Sequence, residues 1–268
     1  MSRYFIQFSY DGTAYHGWQV QPNAVSVQQK LNEALSTLLR SPIETTGAGR
    51  TDTGVHAAKM TAHFDTELFD ECKENGLQQE LSDLLCQLSD KLNRLLPPDI
   101  AVHHICPVRE RAHARFDATS RTYHYHIYTG KNPFWRHYAM RLFFRPDIEA
   151  MNAAAALLLE ASDFTSFSKL HTDVKTNICH VSRAQWVEEK PGLYRFEITA
   201  DRFLRNMVRA VVGTLLEVGR GRMTMEQFAD VINSKSRAAA GESVPGNALS
   251  LVDITYPEEI FESEYPFG

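Results

Sequence analysis

Arg3-Tyr4-Phe5-Ile6-Gln7-Phe8-Ser9-Tyr10-Asp11-Gly12 has a counterpart later in the chain: Arg121-Thr122-Tyr123-His124-Tyr125-His126-Ile127-Tyr128-Thr129-Gly130. Each stretch is rich in aromatic and β-branched residues and ends on a glycine, so each reads as a strand running into a turn. Arg, Tyr and Gly fall at matching offsets in the two. The segments downstream of each strand match as well. After the first strand, Ser26 and Gln29 form a capping box, and Val27, Leu31, Ala34, Leu35 and Leu38 trace the apolar face of a helix. A glycine-punctuated turn comes next, then a strand near 57–65, a helix over about 80–96 stopped by Pro97 and Pro98, and a strand over 100–108. After the second strand come a helix over about 148–161, strands near 181–188 and 193–200, a helix over about 203–218 and a strand near 249–256, with Thr224 to Gln227 capping one further short helix. This order, given twice, predicts an α+β fold. Duplicated ferredoxin-like α/β units would form a central, mostly antiparallel sheet flanked by helices, with an active-site cleft between the halves. The halves are 1–108 and 109–268. The polar segment 67–79 is expected to be an exposed loop or short helix.

The 268 residues suit one large or two medium domains, and 43% hydrophobic against 23% charged residues allows a sizeable core. No stretch approaches the roughly 20 apolar residues of a membrane span, and Met1–Phe8 lacks the layout of a signal peptide. The expected location is the cytoplasm, with no membrane partner. Cys72, Cys86, Cys106 and Cys179 are scattered and form no CxxC pair, which gives neither a zinc site nor a disulfide framework. A net charge of −5 argues against a protein that coats nucleic acid by charge alone. The arginines are nevertheless clustered, at 109, 111, 115 and 121 and again at 202, 205, 209, 220 and 222, which permits a basic cleft on an acidic body.

Gly47-Ala48-Gly49-Arg50-Thr51-Asp52-Thr53-Gly54-Val55-His56-Ala57 carries the chemistry. A carboxylate in a glycine-rich turn can face a ligand instead of solvent. Arg50 is close enough in sequence to hold it ionised or to reach the same ligand. The turn is no dinucleotide fingerprint, because Asp52 stands where a third glycine is needed. Nor is it a phosphate-cradling loop, because Val55 and His56 replace the Lys and hydroxyl residue. An ordinary surface turn remains an open alternative. Arg202, Arg205 and Arg209 recur at helical spacing and would share one face, either solvated or turned toward phosphate. Tyr123 and Tyr125 alternate with His124 and His126, so the tyrosines share one strand face, as core packing or as a platform for a stacked base. The chain has no nucleophile elbow, no HExxH and no catalytic-cysteine context. A single reactive carboxylate fits this inventory. A free Asp, with a pKa of about 3.9, is ionised at neutral pH and suits a nucleophile or base.

These motifs resemble, over nearly the full length, the bacterial tRNA pseudouridine synthase A (TruA) family. Tyr10-Asp11-Gly12-Thr13 with Gly17-Trp18-Gln19 resembles its N-terminal signature, and Gly47 to Ala57 its active-site turn. His113-Ala114-Arg115-Phe116 followed by Arg121 to Tyr125, Asp163 to Phe167, and Met207-Val208-Arg209 with Val212 to Leu215 match as well. The resemblance implies that Asp52 is the catalytic residue. It places Tyr123 on the target base, Arg50 as the residue that helps extrude that base, and Arg209 as the basic partner of the carboxylate. Arg205 and Leu249 are further candidate substrate contacts. The chain departs from the family where Ala248-Leu249-Ser250-Leu251 replaces Gly-Leu-aromatic-Leu, which alters one wall of the pocket. The resemblance also implies isomerisation of uridine at nucleotides 38, 39 and 40 of the tRNA anticodon stem-loop, by a homodimer whose subunits both contact the tRNA. No metal or organic cofactor is implied. Two rival readings stay open from the residues: a non-catalytic structured-RNA-binding protein, and a glycosidase, which usually needs a second carboxylate.

Overall fold

The computed structural model describes residues 1–169 and 176–262. Its contacts group the chain into two compact units. One is Met1–Thr119 together with the chain from Asp253 onward, and the other is Ser120–Val252.

The first unit contains β1 (Ser2–Tyr10), α1 (Val27–Leu39), β2 (Thr46–Gly47), β3 (His56–Thr66), α2 (Asp70–Glu74), α3 (Gln78–Leu95) and β4 (Ile100–Pro107). Strand β1 is central, antiparallel to β3 on one side and β4 on the other, and β2 pairs with β3. Tyr4, Phe5, Ile6, Gln7 and Phe8 are all buried, which explains why the strand does not alternate: both of its faces are covered. Phe5 packs with Cys106, Val108, Ala112, Ala114 and Ile260, and Tyr256 closes this cluster by donating its hydroxyl to the Ala114 carbonyl at 2.6 Å. Each buried aromatic of this kind contributes about 1.5–3 kcal/mol through area removed from water. Ser26 caps α1 by accepting from the Gln29 N–H, but Gln29 itself bonds Glu33, so only half of the expected capping box forms. The polar 67–79 segment holds the short helix α2.

The second unit contains β5 (Ser120–Thr129), β6 (Met140–Leu142), α4 (Ile148–Ala156), β7 (Val181–Lys190), β8 (Leu193–Ala200), α5 (Met207–Gly219), α6 (Met225–Ser234) and the start of β9 (Leu249–Thr255). β5 runs antiparallel to β8, and β8 to β7, while the short β6 lies parallel to β5. The strand order is β9-β5-β8-β7 here and β4-β1-β3-β2 in the first unit. With the short β6 left out, both read last, first, third, second, so the duplication expected from the repeated strand signature extends to the topology. The fold is α+β and mostly antiparallel.

Two helix limits differ from expectation. α4 ends at Ala156 and tightens into a 3₁₀ turn over Leu157–Leu159. α5 begins at Met207 instead of 203, because Asn206 adopts a left-handed φ of 68° and donates from its side chain to Ser243 at 2.6 Å. Leu204 is buried from the preceding turn, so it fits the helical stripe without being on the helix. Thr224 and Gln227 form the full capping box expected for α6.

Candidate active site

Asp52 sits on the turn between β2 and β3, braced from below by the loop after β1. Trp18 N–H donates to the Thr51 carbonyl at 3.3 Å, Gly54 N–H donates to the Tyr15 carbonyl at 3.3 Å, and the Tyr10 and Thr51 hydroxyls bond at 2.8 Å. Val55 N–H closes the turn onto the Asp52 carbonyl at 3.1 Å. Two glycines make this approach possible. A Cβ on Gly12 would collide with the Val55 carbonyl, and one on Gly17, which has φ 88°, would collide with the Thr51 carbonyl. Thr51 and Val55 are buried on either side while Asp52 keeps partial exposure. The backbone under the carboxylate is therefore fixed, as a preorganised reactive group requires.

Arg50 is exposed beside this turn and lines a cavity of about 190 Å³ with Trp18, Gln19, Gln28, Gly47 and Arg115. Gln28 stiffens the wall. Its amide oxygen accepts from Gln19 and from Val20 N–H at 2.8 and 2.9 Å, and its amide nitrogen donates to the Thr45 carbonyl at 2.7 Å. Two guanidiniums on one cavity suit an anionic ligand such as a phosphate.

The other candidates lie in the second unit. Tyr123 on β5 is 9% exposed and meets Phe203 edge-on, with ring centroids 5.1 Å apart. Tyr125 is fully buried, and its hydroxyl donates to the Pro245 carbonyl at 3.0 Å. The tyrosine pair thus divides: Tyr125 packs the core, and only Tyr123 retains a surface. Burial, reinforced by the nearby Arg195, lowers His124 to about 4, so it is neutral at pH 7, and its ring nitrogen lies 3.1 Å from that guanidinium. His126 Nε2 lies 3.4 Å from Glu189. These histidines belong to a polar network on β5, β7 and β8.

The arginine row does not survive as expected. Arg209 is on the first turn of α5, but Arg202 and Arg205 precede the helix and share no face with it. The helical spacing misled because the left-handed Asn206 breaks the helix between them. Arg209 Nε donates to the Val244 carbonyl at 2.7 Å, and Val244 N–H returns a bond to the Arg209 carbonyl at 3.2 Å. Arg205 is exposed, with its carbonyl accepting from Lys169 N–H at 3.1 Å. Leu249, the first residue of β9, is 5% exposed, and Leu251 is also buried.

Sequence reasoning missed the segment 236–248 that grips Arg209. Arg237 donates to the Gly241 carbonyl at 3.0 Å and to Ser243 Oγ at 2.9 Å, and Gly241 N–H donates to Thr214 Oγ1 at 3.0 Å. These bonds fix the Val244 carbonyl that orients the guanidinium. No spacing in the sequence announces them, because the partners are backbone carbonyls and hydroxyls, and the bonds that tie the segment to α5, Gly241 to Thr214 and Arg209 to Val244, join residues 27 and 35 apart in the chain.

A family model described as tRNA pseudouridine synthase matches residues 154–257. The chain is 57% identical over 266 residues to the tRNA pseudouridine synthase A of Bacteroides thetaiotaomicron, covering 98% of this chain and 94% of that one. It is 56% identical to the protein of that name from Parabacteroides distasonis, over 98% of this chain and all of the relative. The similarity persists at 38% identity to the protein of that name from Bacillus subtilis, over 92% of this chain and 96% of the relative.

Proposed function

Because the chain belongs to the tRNA pseudouridine synthase A family, and so is a pseudouridine-forming isomerase, we propose that it converts uridines 38, 39 and 40 of the tRNA anticodon stem-loop, with Asp52 as the catalytic residue. The observation that carries this reading is the Asp52 turn, a partly exposed carboxylate on a backbone held by Tyr10, Tyr15 and Trp18.

The reaction breaks the bond between uracil N1 and ribose C1′ and forms a bond between C5 and C1′. The proton lost from C5 balances the one gained at N1, and nothing is oxidised or reduced. A base in a stem must first leave the stack, at a cost of a few kcal/mol. Arg50 fills the vacated space and Tyr123 stacks on the extruded ring. Asp52 then acts by one of three routes: as nucleophile at C1′, as nucleophile at C6, or as base at C2′. Arg209 supplies the positive charge that keeps the carboxylate ionised, a role carried over from the family pattern. Arg205 contacts the RNA backbone, and Leu249 contributes apolar wall. The working unit is a homodimer, again by resemblance, acting in the cytoplasm. Among the described residues, no helix is long and apolar enough to cross a membrane.

The direct test is to incubate the protein with unmodified tRNA transcripts, add no cofactor, and map pseudouridine by nucleotide. Product confined to positions 38–40 is expected. Free uracil, or product elsewhere in the molecule, would overturn the proposal. The stacking role is tested separately. Tyr123→Phe should retain most activity, whereas Tyr123→Ala should lose about ten- to a hundredfold, the usual worth of one base stacked on an aromatic ring. Equal activity in the two variants would remove Tyr123 from the mechanism.

A further inference from the structure

The far end of β5 carries a feature that the isomerisation does not use. An open groove of about 580 Å³ is lined by Arg141, Phe143, Arg145, Glu188, Gly192 and Tyr194 among others. Its geometry follows from β6. That strand pairs with Ile127–Thr129 of β5, and Leu142 is buried there at 3% exposure. Strand alternation then turns the neighbours Arg141 and Phe143 outward. Phe143 is 86% exposed, and the Arg141 guanidinium stands over its ring at 4.8 Å from the centroid. Arg145 is also exposed. The acidic member of the lining, Glu188, is committed to its own turn, accepting from Gly192 N–H at 3.0 Å.

An aromatic ring this exposed, held in place by a guanidinium and beside a second arginine, has the makings of a nucleic-acid contact. Unpaired bases stack on aromatic faces, and arginine forks meet phosphates. Tyr123 and Thr129 are six residues apart on β5, which is about 20 Å at about 3.3 Å per residue. A nucleotide bound here is therefore not the target nucleotide. We propose that this groove is a second RNA-binding site, in which an unpaired base stacks on the open face of Phe143 and adjacent phosphates pair with Arg141 and Arg145. This rests on the reading of the substrate as tRNA. The local positive charge on a chain of net charge −5 complements a polyanion. A two-fold contact centred on this groove would bring two copies of the arginine pair together, so the polyanion is the better complement.

The test measures binding of an unmodified full-length tRNA transcript across a salt series, together with product formation, for wild type, Phe143→Ala and the double variant Arg141→Gln/Arg145→Gln. Phe143→Ala should weaken binding about tenfold without changing the salt slope. The double variant should weaken binding and flatten the slope by about 1–2, the signature of lost phosphate contacts. Arg141→Lys should keep the wild-type slope. Turnover at saturating RNA should persist and melting temperatures should not move, because these side chains are exposed. Wild-type affinity and slope in all variants would overturn the proposal. So would a change in particle mass on sedimentation, which would make the groove a contact between copies. If wild type makes no pseudouridine while the variants still lose affinity, the isomerase site assignment fails and the groove stands. If product is normal and binding is unaltered in every variant, the groove fails and the isomerase site stands.

Discussion

Asp52→Asn should abolish pseudouridine formation, by about 10³-fold or more, while tRNA binding stays near that of the wild type. The two side chains are nearly the same size, and the backbone that carries them is held by bonds that do not involve the carboxylate: Trp18 to the Thr51 carbonyl, Tyr10 to the Thr51 hydroxyl and Val55 to the Asp52 carbonyl. The substitution thus removes a negative charge and a nucleophilic oxygen without moving the turn. Whichever route Asp52 follows, an amide can serve as neither base nor nucleophile at neutral pH. The measurement is single-turnover product formation with RNA bound to saturation, alongside a filter-binding titration. A variant that converts uridine at the wild-type rate would remove Asp52 from catalysis.

The second large effect is expected far from any reacting atom. Gly17→Ala should destabilise the protein by about 2–3 kcal/mol and lower turnover by about a hundredfold. Gly17 has φ 88°, which an alanine adopts only under strain, and its Cβ would press on the Thr51 carbonyl, one residue before Asp52. Neither is a flexible side chain, so the turn must shift, and the carboxylate shifts with it. The expected pattern is a lowered melting temperature, a reduced turnover number and little change in KM, because Gly17 is buried. Wild-type stability and turnover in this variant would show that the loop after β1 does not hold the catalytic turn.

The site was only partly legible in the sequence. The Asp52 turn stood out because glycines, a carboxylate and an arginine share a few residues of chain. The division of labour between Tyr123 and Tyr125 did not stand out. Both occupy the same strand face, and only packing decides that one hydroxyl is spent on the Pro245 carbonyl. The arginine row was misread for a comparable reason. Spacing of three and four residues is compatible with a helix, but the left-handed Asn206 starts that helix later and leaves Arg202 and Arg205 outside it.

The amino-acid order alone determined the duplicated α+β plan, since apolar periodicity and turn residues are local properties that each repeat states in full. It also singled out the Asp52 turn as the candidate reactive site, because residue types and their spacing set the available chemistry. Tertiary structure decided how that chemistry is aimed. The Val244 carbonyl on Arg209, the loop of Gly12 and Gly17 beneath Asp52, and the outward turn of Phe143 all depend on contacts between segments far apart in the chain. Such contacts are fixed by close packing and by the need of buried polar groups for partners, and neither leaves a periodic trace in sequence.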